Sequence, residues 1–574
     1  MLRLSLGLGL SAGASSGTIA TLALNFLTGS LDSRITFTRA SNATLVDSTG
    51  KVTYAPNNLW LNSAATSGWS VSKSAGTTVT GGITDPLGGT TACQLDFTST
   101  FDFAGQIINP IPAGTKIQSV WVKGDSAGTI TLYGASGGSW NTQVAVTTSW
   151  TLVYTSFTYT GFETVSVFRN VGDLARVYVA FPQLEQVTYQ TAPSTYNATT
   201  GSAYYGPRFD YNPSTLAARG LLIEEQRTNL CLRSQEFDNA YWTPLRATVT
   251  ANSVAAPDGT TTTDTHTDDT SNNSHGTVAT SGFTVSAATA YTFSVFAKKG
   301  TGRYFFVQVA ESAAFNYGAI FDLQAGTITD TEAGGSPTAS SSIQDYGNGW
   351  YRLIVTFTTV GTGIYLNTFG SDAAVPTYSG NHEPTYVGTG STWYLWGAQL
   401  EAGAFATSYI PTTSATVTRS EDVVSMTGAN FSDWYNQSEG TFVVEASKKS
   451  SSGYALSVSV SNGSASELMW FGAIGANSGL SIVDGGVTQA NYNVAASLAA
   501  DTFFKQAAAY KANDTNLATS GTAHTADTAC TLPTVDRVRF GANFNGTSPL
   551  VGHIKSISYY NSRLPDATLQ ELTA

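Results

Sequence analysis

Charge is scarce in this chain: only 11% of its 574 residues are Asp, Glu, Lys or Arg. The little there is sums to −12, so no broad positive surface exists for nucleic acid or for an anionic membrane. Cysteine is nearly absent. Cys93, Cys231 and Cys530 are odd in number and far apart, which excludes a disulfide framework and a CxxC metal knuckle and leaves three small buried hydrophobes. Histidine is equally thin. His266, His275, His382, His524 and His553 show no HxxxH spacing, and there is no GxSxG elbow, phosphate-binding loop or dinucleotide fingerprint. Long apolar runs are missing too, since no stretch approaches the ~20 residues of a membrane span. The start, MLRLSLGLGLSAGASSG, imitates a signal peptide, but Ser5, Gly7 and Gly9 interrupt its apolar run, which weakens it as one.

What the chain does have is β-forming material. Hydrophobic residues make up 41%, including 28 Phe, 27 Tyr and 11 Trp, among abundant Gly, Ser and Thr. That mixture, with few helical periodicities, predicts an all-β protein built of tandem β-sandwiches, and the length allows about three to four domains. Charge gathers in one place. Gly206 to Leu230 carries Arg208, Asp210, Arg219, Glu224, Glu225 and Arg227 around the apolar core Leu221-Leu222-Ile223, which is long enough for a strand and too short for a helix. Pro207 and Pro213 disfavour helix, and Gly220 offers a turn before the apolar run. The stretch predicts a strand-turn-strand clasp whose charges pair with one another around a domain junction.

Two segments repeat the same landmarks in order. Asn58-Leu59 answers to Asn229-Leu230, Trp69 to Trp242, Ser119–Gly124 to Ser294–Gly300, and Gln183-Leu184-Glu185 to Gln399-Leu400-Glu401. The repeat implies two related sandwiches, the second with longer loops. After Arg419 a third unit begins, with strands expected at Gly440–Ala446, Phe503–Tyr510 and Val551–Tyr560 and a short helix at Pro565–Leu572.

These residues carry a resemblance. The clasp, with RITFTRASNATLVDSTGKV at Arg34 to Val52, resembles a recurring module of bacteriophage and prophage fibre and spike proteins of head or tail. The two sandwiches resemble jelly-roll carbohydrate-binding modules, and the last 150 or so residues resemble the concanavalin-A-like (laminin-G-like) lectin sandwich. In the family the two clasp pieces lie close together, so the separation of Val52 from Pro207 implies an inserted domain. The resulting division is 1–33, an attachment segment without a core of its own, ordered by a partner or by trimer contacts; 34–56, pairing with a clasp at 197–227; 57–196, the inserted jelly roll; 228–418, the second jelly roll; and 419–574, the lectin-like sandwich. The resemblance implies a homotrimeric, non-enzymatic structural protein on a virion surface. It would bind host-surface glycan and contact other virion proteins through its N-terminal segment, with no nucleic acid and no membrane insertion. The rival readings are a polysaccharide depolymerase and a secreted carbohydrate-binding adhesin.

Candidate site residues are few. A sugar ring stacks on an exposed, rigid aromatic with polar neighbours. Trp140, in the loop-like GGSWN, and Tyr378 and His382, in the loop from Pro376 to Pro384, are the aromatics outside strand patterns that answer to this. The acidic stretch DGTTTTDTHTDD, read as a loop, offers Asp258, Asp264, Asp268 and Asp269 as oxygen ligands for a structural calcium ion, although it lacks the EF-hand spacing. No other cofactor is implied. The last sandwich lacks the ExDxE strand of the hydrolases that share its fold, so no catalytic residue is assigned.

Overall fold

A computed structural model describes residues 19–65, 67–135, 140–311, 315–335, 338–449 and 452–574. The protein is almost wholly β. It divides into two compact units, one running Phe37–Val423 and the other joining the chain before Phe37 to Val424–Ala574. Among the described residues no helix is long and apolar enough to cross a membrane.

Within the larger unit the first sandwich is organised by two unusually long strands, Phe103–Lys123 and Thr151–Phe168. They run antiparallel from Val122 opposite Thr151 to Phe103 opposite Phe168, with register breaks around Gly161. Breaks of this kind bend a sheet. Val120 and Val122 from one end therefore share a core with Ala104, Val165 and Val167 from the other, and the sheet closes on itself. The second sandwich uses two separate sheets. A six-stranded sheet carries Ala247–Val254, Thr263–Asp268, Thr392–Ala402, Ala290–Lys299, Trp350–Thr358 and Ala339–Asp345. Opposite it lies a sheet ordered Trp242–Leu245, Gly276–Ala279, Gly363–Ser371, Tyr304–Glu311, Phe315–Asp322 and Thr327–Gly334. Alternate residues such as Val295, Val307, Leu366 and Leu395 fill the space between them.

The repeated sequence landmarks are one clamp built twice. Asn58 Nδ2 donates to the carbonyls of Pro182 at 3.3 Å and Asn197 at 2.8 Å, and its Oδ1 accepts from the N–H groups of Trp60 and Leu184 at 3.0 and 3.1 Å. Asn229 does the same with the carbonyls of Ala398 and Ile410 and the N–H groups of Cys231 and Leu400, at 3.0, 2.8, 3.0 and 3.1 Å. Gln183 and Gln399 accept from the N–H groups of Asn197 and Ile410. Glu185 and Glu401 accept from Ser194 and Thr407. In each copy the Asn and the Gln-Leu-Glu strand thus tie the entering and leaving chain to the last strand. The Asn, Gln and Glu side chains are buried in both copies, so their polar atoms need these partners.

The smaller unit is a sandwich as well. One sheet holds Gly552–Tyr560, Glu439–Ala446, Phe504–Lys511, Asn516–Thr519 and Thr522–Ala523, the other Val423–Thr427, Arg537–Phe540, Tyr454–Ser461, Leu468–Ile474, Asn477–Asp484 and Val487–Ala495. Phe442 and Phe471 meet across the gap with ring centroids 5.9 Å apart. The helix Asp566–Thr573 seals Ala507, Ala509 and Ala518 with Leu569. The N-terminal expectation needs correction from residue 19 onward. Leu22–Asn25 pairs with Gly552–Tyr560 and buries Leu22, Leu24 and Phe26, so this same sandwich, not a partner, orders it. Residues 1–18 lie outside the described residues.

Candidate functional site

The clasp is real, and its turn is displaced. Arg208–Tyr211 pairs antiparallel with Ala218–Ile223. The chain reverses between these strands, while Gly220 sits inside the second at φ 90°, beside the register shift after Asp210. It serves a bulge, not the turn. Above this ladder three arginines and two acids are buried together. Arg208 donates to Glu224 at 2.6 Å and to Asp422; Arg39 donates to the other oxygen of Asp422 at 2.8 Å; Arg419 lies 3.0 Å from Glu224. Surplus guanidinium donors go to the carbonyls of Ser41, Gly206 and Glu225. Burial opposes Arg208's charge, but Asp422 and Glu224 outweigh it and hold its pKa above the usual value. Burial likewise opposes Glu224's charge, and Arg419 with Arg208 holds its carboxyl well below the usual carboxylate range. Arg39, with burial dominant, falls to about 10. All five side chains are internal and their charges answer one another, although the Nε atoms of Arg208 and Arg419 have no hydrogen-bond partner, which makes this a fastening of distant chain segments.

The acidic stretch is a turn followed by a strand, and it forms no cage. Thr263–Asp268 is an inner strand of the six-stranded sheet, with Asp264, His266 and Asp268 buried. Asp264 caps the N–H groups of Phe237, Asp238 and Asn252; Asp268 accepts from Thr389, Gly390, Ser391 and the Tyr386 hydroxyl. Asp258 closes its own turn through Thr260, and Asp269 binds Ser271 beside His275. Asp264 and Asp268, four residues apart along a strand, stand about 13 Å from one another. The four acids therefore do not meet, and among the described residues no group of three or more His, Cys, Asp or Glu could hold a metal ion. Burial, with the nearby Asp238 charge, lifts Asp264 to about 6, and burial drops His266 to about 3.

Tyr378 and His382 come together on the outer face of the second sandwich. Phe306, Ile320 and Phe369 point away from the core there, and the Tyr378 ring covers them, its centroid 5.9 Å from that of Phe306. Its hydroxyl donates to Asp330 at 2.7 Å, and burial together with that carboxylate pushes the phenol up. His382 Nδ1 lies 2.6 Å from Glu332 Oε1. Its backbone is left-handed, at φ 61°, and its ring rests where a Cβ on Gly334 would stand. Gln308 holds the loop from below by donating to the carbonyls of Asn381 and His382, and it accepts from Asn367 at 2.8 Å.

Beyond this roof the outer face of the sheet is partly exposed. Cross-strand register sets Tyr365, Ala310, Asn316 and Gly334 in one row on the outer face. Tyr365, 44% exposed, ends the row on one side, and His382 with Glu332 ends it on the other. Three strand spacings separate these ends, about 14 Å, over a floor of small side chains. Sequence reading found Tyr378 and His382 and missed Gln308, Asp330, Glu332, Tyr365 and Asn367. Only the alternation of Ile364 and Leu366 signals that Tyr365 and Asn367 face away from the core, and Phe369, apolar on that outer face, obscures it. Trp140 begins the strand Trp140–Val146 opposite Gly134; its side chain and the preceding loop lie outside the described residues.

No family model and no curated protein matches the chain. Among solved structures it is similar to the CBM40 of the Ruminococcus gnavus IT-sialidase bound to α2,3-sialyllactose, at 18% identity over 25% of this chain and 88% of that one, with a TM-score of 0.23. It is also similar to domains LG4-5 of the mouse laminin α1 chain, at 11% identity over 53% and 90% of the two chains with a TM-score of 0.19. A third similarity, to Trypanosoma rangeli sialidase, has 8% identity over 93% of each chain and a TM-score of 0.19.

Proposed function

We propose that this chain is a non-catalytic structural protein that binds polysaccharide on the outer face of its second sandwich. The observation that carries the reading is the partly exposed row from Tyr365 to His382 and Glu332. It offers an exposed aromatic for the apolar face of a sugar, a floor of Ala310 and Asn316 up to the His382 ring that covers Gly334, and hydrogen-bonding groups at the far end. The left-handed His382 backbone is an expense of the sort found where a side chain must be aimed. With the clasp and its repeated modules, the reading extends to a fibre or spike on a phage or phage-like particle, trimeric, attached through its N-terminal segment and binding a host-surface glycan. Repetition of weak sites would supply avidity.

A polysaccharide depolymerase is the second reading, and one observation favours it. Asp330 and Glu332 lie two residues apart on one strand, about 7 Å, within the range of separations of hydrolase carboxylates. The test is a glycan array with the full-length protein and its Tyr365→Ala variant, beside a reducing-end assay on each polysaccharide bound. Binding that Tyr365→Ala removes, with no new reducing ends, supports the binding protein. Release of reducing ends that Glu332→Gln abolishes establishes the depolymerase instead. A host-surface array on which the wild type binds nothing overturns both.

A further inference from the structure

The sheet position that Tyr378 covers in the second sandwich has a counterpart in the first whose own rings are partly exposed. Register makes the equivalence. From the landmarks Trp69 and Trp242, Ser72, Gly105 and Ser166 stand in line as Leu245, Gly276 and Phe369 do; Tyr133 therefore lies between Ser166 and Asn141 as Phe306 lies between Phe369 and Ile320, and Thr131 lies between Phe168 and Gln143 as Tyr304 lies between Ser371 and Asp322. In both sandwiches these residues face outward, since Ile130, Leu132, Val165 and Val167 on one side and Val307, Val309 and Leu366 on the other are core. In the second sandwich the chain's own phenol ring lies on this surface. In the first, Tyr133 and Phe168 stack there at 4.8 Å and 21°, half-buried, and Phe101 lies 5.8 Å from Phe168 with 62% of its surface exposed.

Phe101 is held outward at a conformational cost. Its φ of 73° is left-handed, a region that a bulky residue avoids, and its N–H is fixed to the Arg169 carbonyl at 2.7 Å. The rim of the patch is polar and uncharged in effect. Exposed Gln143 and Asn141 offer amides, while the nearby Asp173 carboxylate already accepts from Thr129, Thr131, Gln143 and the Asn170 N–H.

We propose that this aromatic row is a second glycan site, taking one uncharged pyranose ring against Phe168 and Tyr133, bordered by Phe101, with its hydroxyls toward Gln143 and Asn141. The chain's own Tyr378 argues for that occupant: a flat ring with an apolar face and a hydroxyl at its edge fills the equivalent place next door. The site shares no residue with the row ending at Tyr365, so either can fail without the other.

The test is saturation-transfer NMR on the full-length protein, with the methyl pyranosides of glucose, galactose, mannose and N-acetylglucosamine at millimolar concentration. Wild type and Tyr365→Ala are expected to transfer saturation to the ring protons of at least one pyranoside. Phe101→Ala, an exposed change that leaves thermal unfolding in place, is expected to weaken that ligand roughly tenfold. The proposal is overturned if no pyranoside responds in either the wild type or Tyr365→Ala, if Phe101→Ala leaves the response intact, or if Phe101→Ala instead lowers the oligomeric state in sedimentation, which would make the face a contact between copies.

Discussion

Glu224 shows how much one side chain carries here. It answers two guanidiniums and the N–H and hydroxyl of Ser408 in a place closed to solvent. Removing its charge leaves Arg208 and Arg419 undercompensated, so Glu224→Gln is expected to cost about 3–5 kcal/mol, read from urea unfolding at pH 7. A second expectation concerns acid. Glu224's folded pKa is depressed, so its contribution is present above the ordinary carboxylate range and is lost as pH falls toward the folded value. His266 acts in the same sense, over the window from 6.5 down to about 3, because its buried ring resists the proton that the unfolded chain accepts. Asp264 acts oppositely. Raised to about 6, it favours the folded state below 3.8, and that contribution disappears as pH rises through 6. Asp264→Asn should therefore destabilise more at pH 4 than at pH 7, and a penalty equal at both pH values, measured by chemical unfolding, would contradict the assignment.

At the scale of elements, the Asn and Gln-Leu-Glu clamp predicts that Asn229→Ala costs at least about 2 kcal/mol. It strips partners from two N–H groups and two carbonyls that water does not reach. Within the larger unit the first sandwich begins and ends side by side: Asn57-Asn58 pairs with Tyr204-Tyr205, the Gly206 N–H meets the Pro56 carbonyl at 2.7 Å, and Gln186, Tyr189 and Gln190 add bonds to Asn42, Asp47 and Thr53. Replacing residues 57–205 by two glycines should leave a chain that still unfolds cooperatively, since Arg39, Arg208, Glu224, Arg419 and Asp422 all lie outside the excised part; loss of the remaining β signal in circular dichroism would count against this. Legibility varied among elements for physical reasons. Strands such as Glu439–Ala446 and Gly552–Tyr560 were visible because apolar residues alternate along them. Thr263–Asp268 was not, because its inward residues are Asp264, His266 and Asp268, and alternation that counts only apolar side chains sees a polar loop. The clasp betrayed itself by charge, and Gly220 misled because glycine marks bulges as readily as turns. Tyr378 and His382 were legible as loop aromatics, whereas Glu332, Gln308 and Tyr365 join them only through cross-strand register, which no local pattern encodes.

For the whole molecule, the net charge of −12 and the uncharged rim of the aromatic row imply that binding to a neutral glycan should hardly change between 50 and 500 mM salt, as titration calorimetry can check. A steep salt dependence would signal a charged ligand. The pairing of Leu22–Asn25 with Gly552–Tyr560 reaches further, into synthesis. A ribosome adding about 5–20 residues per second needs roughly half a minute to two minutes to travel from the first of these strands to the second. Throughout that interval Leu22, Leu24 and Phe26 lack the surface that buries them, and the Phe37–Val423 unit completes its sequence before that surface is made. Translation thus imposes an order of assembly, in which the unit made second closes only when the nascent chain's beginning is recaptured by its end.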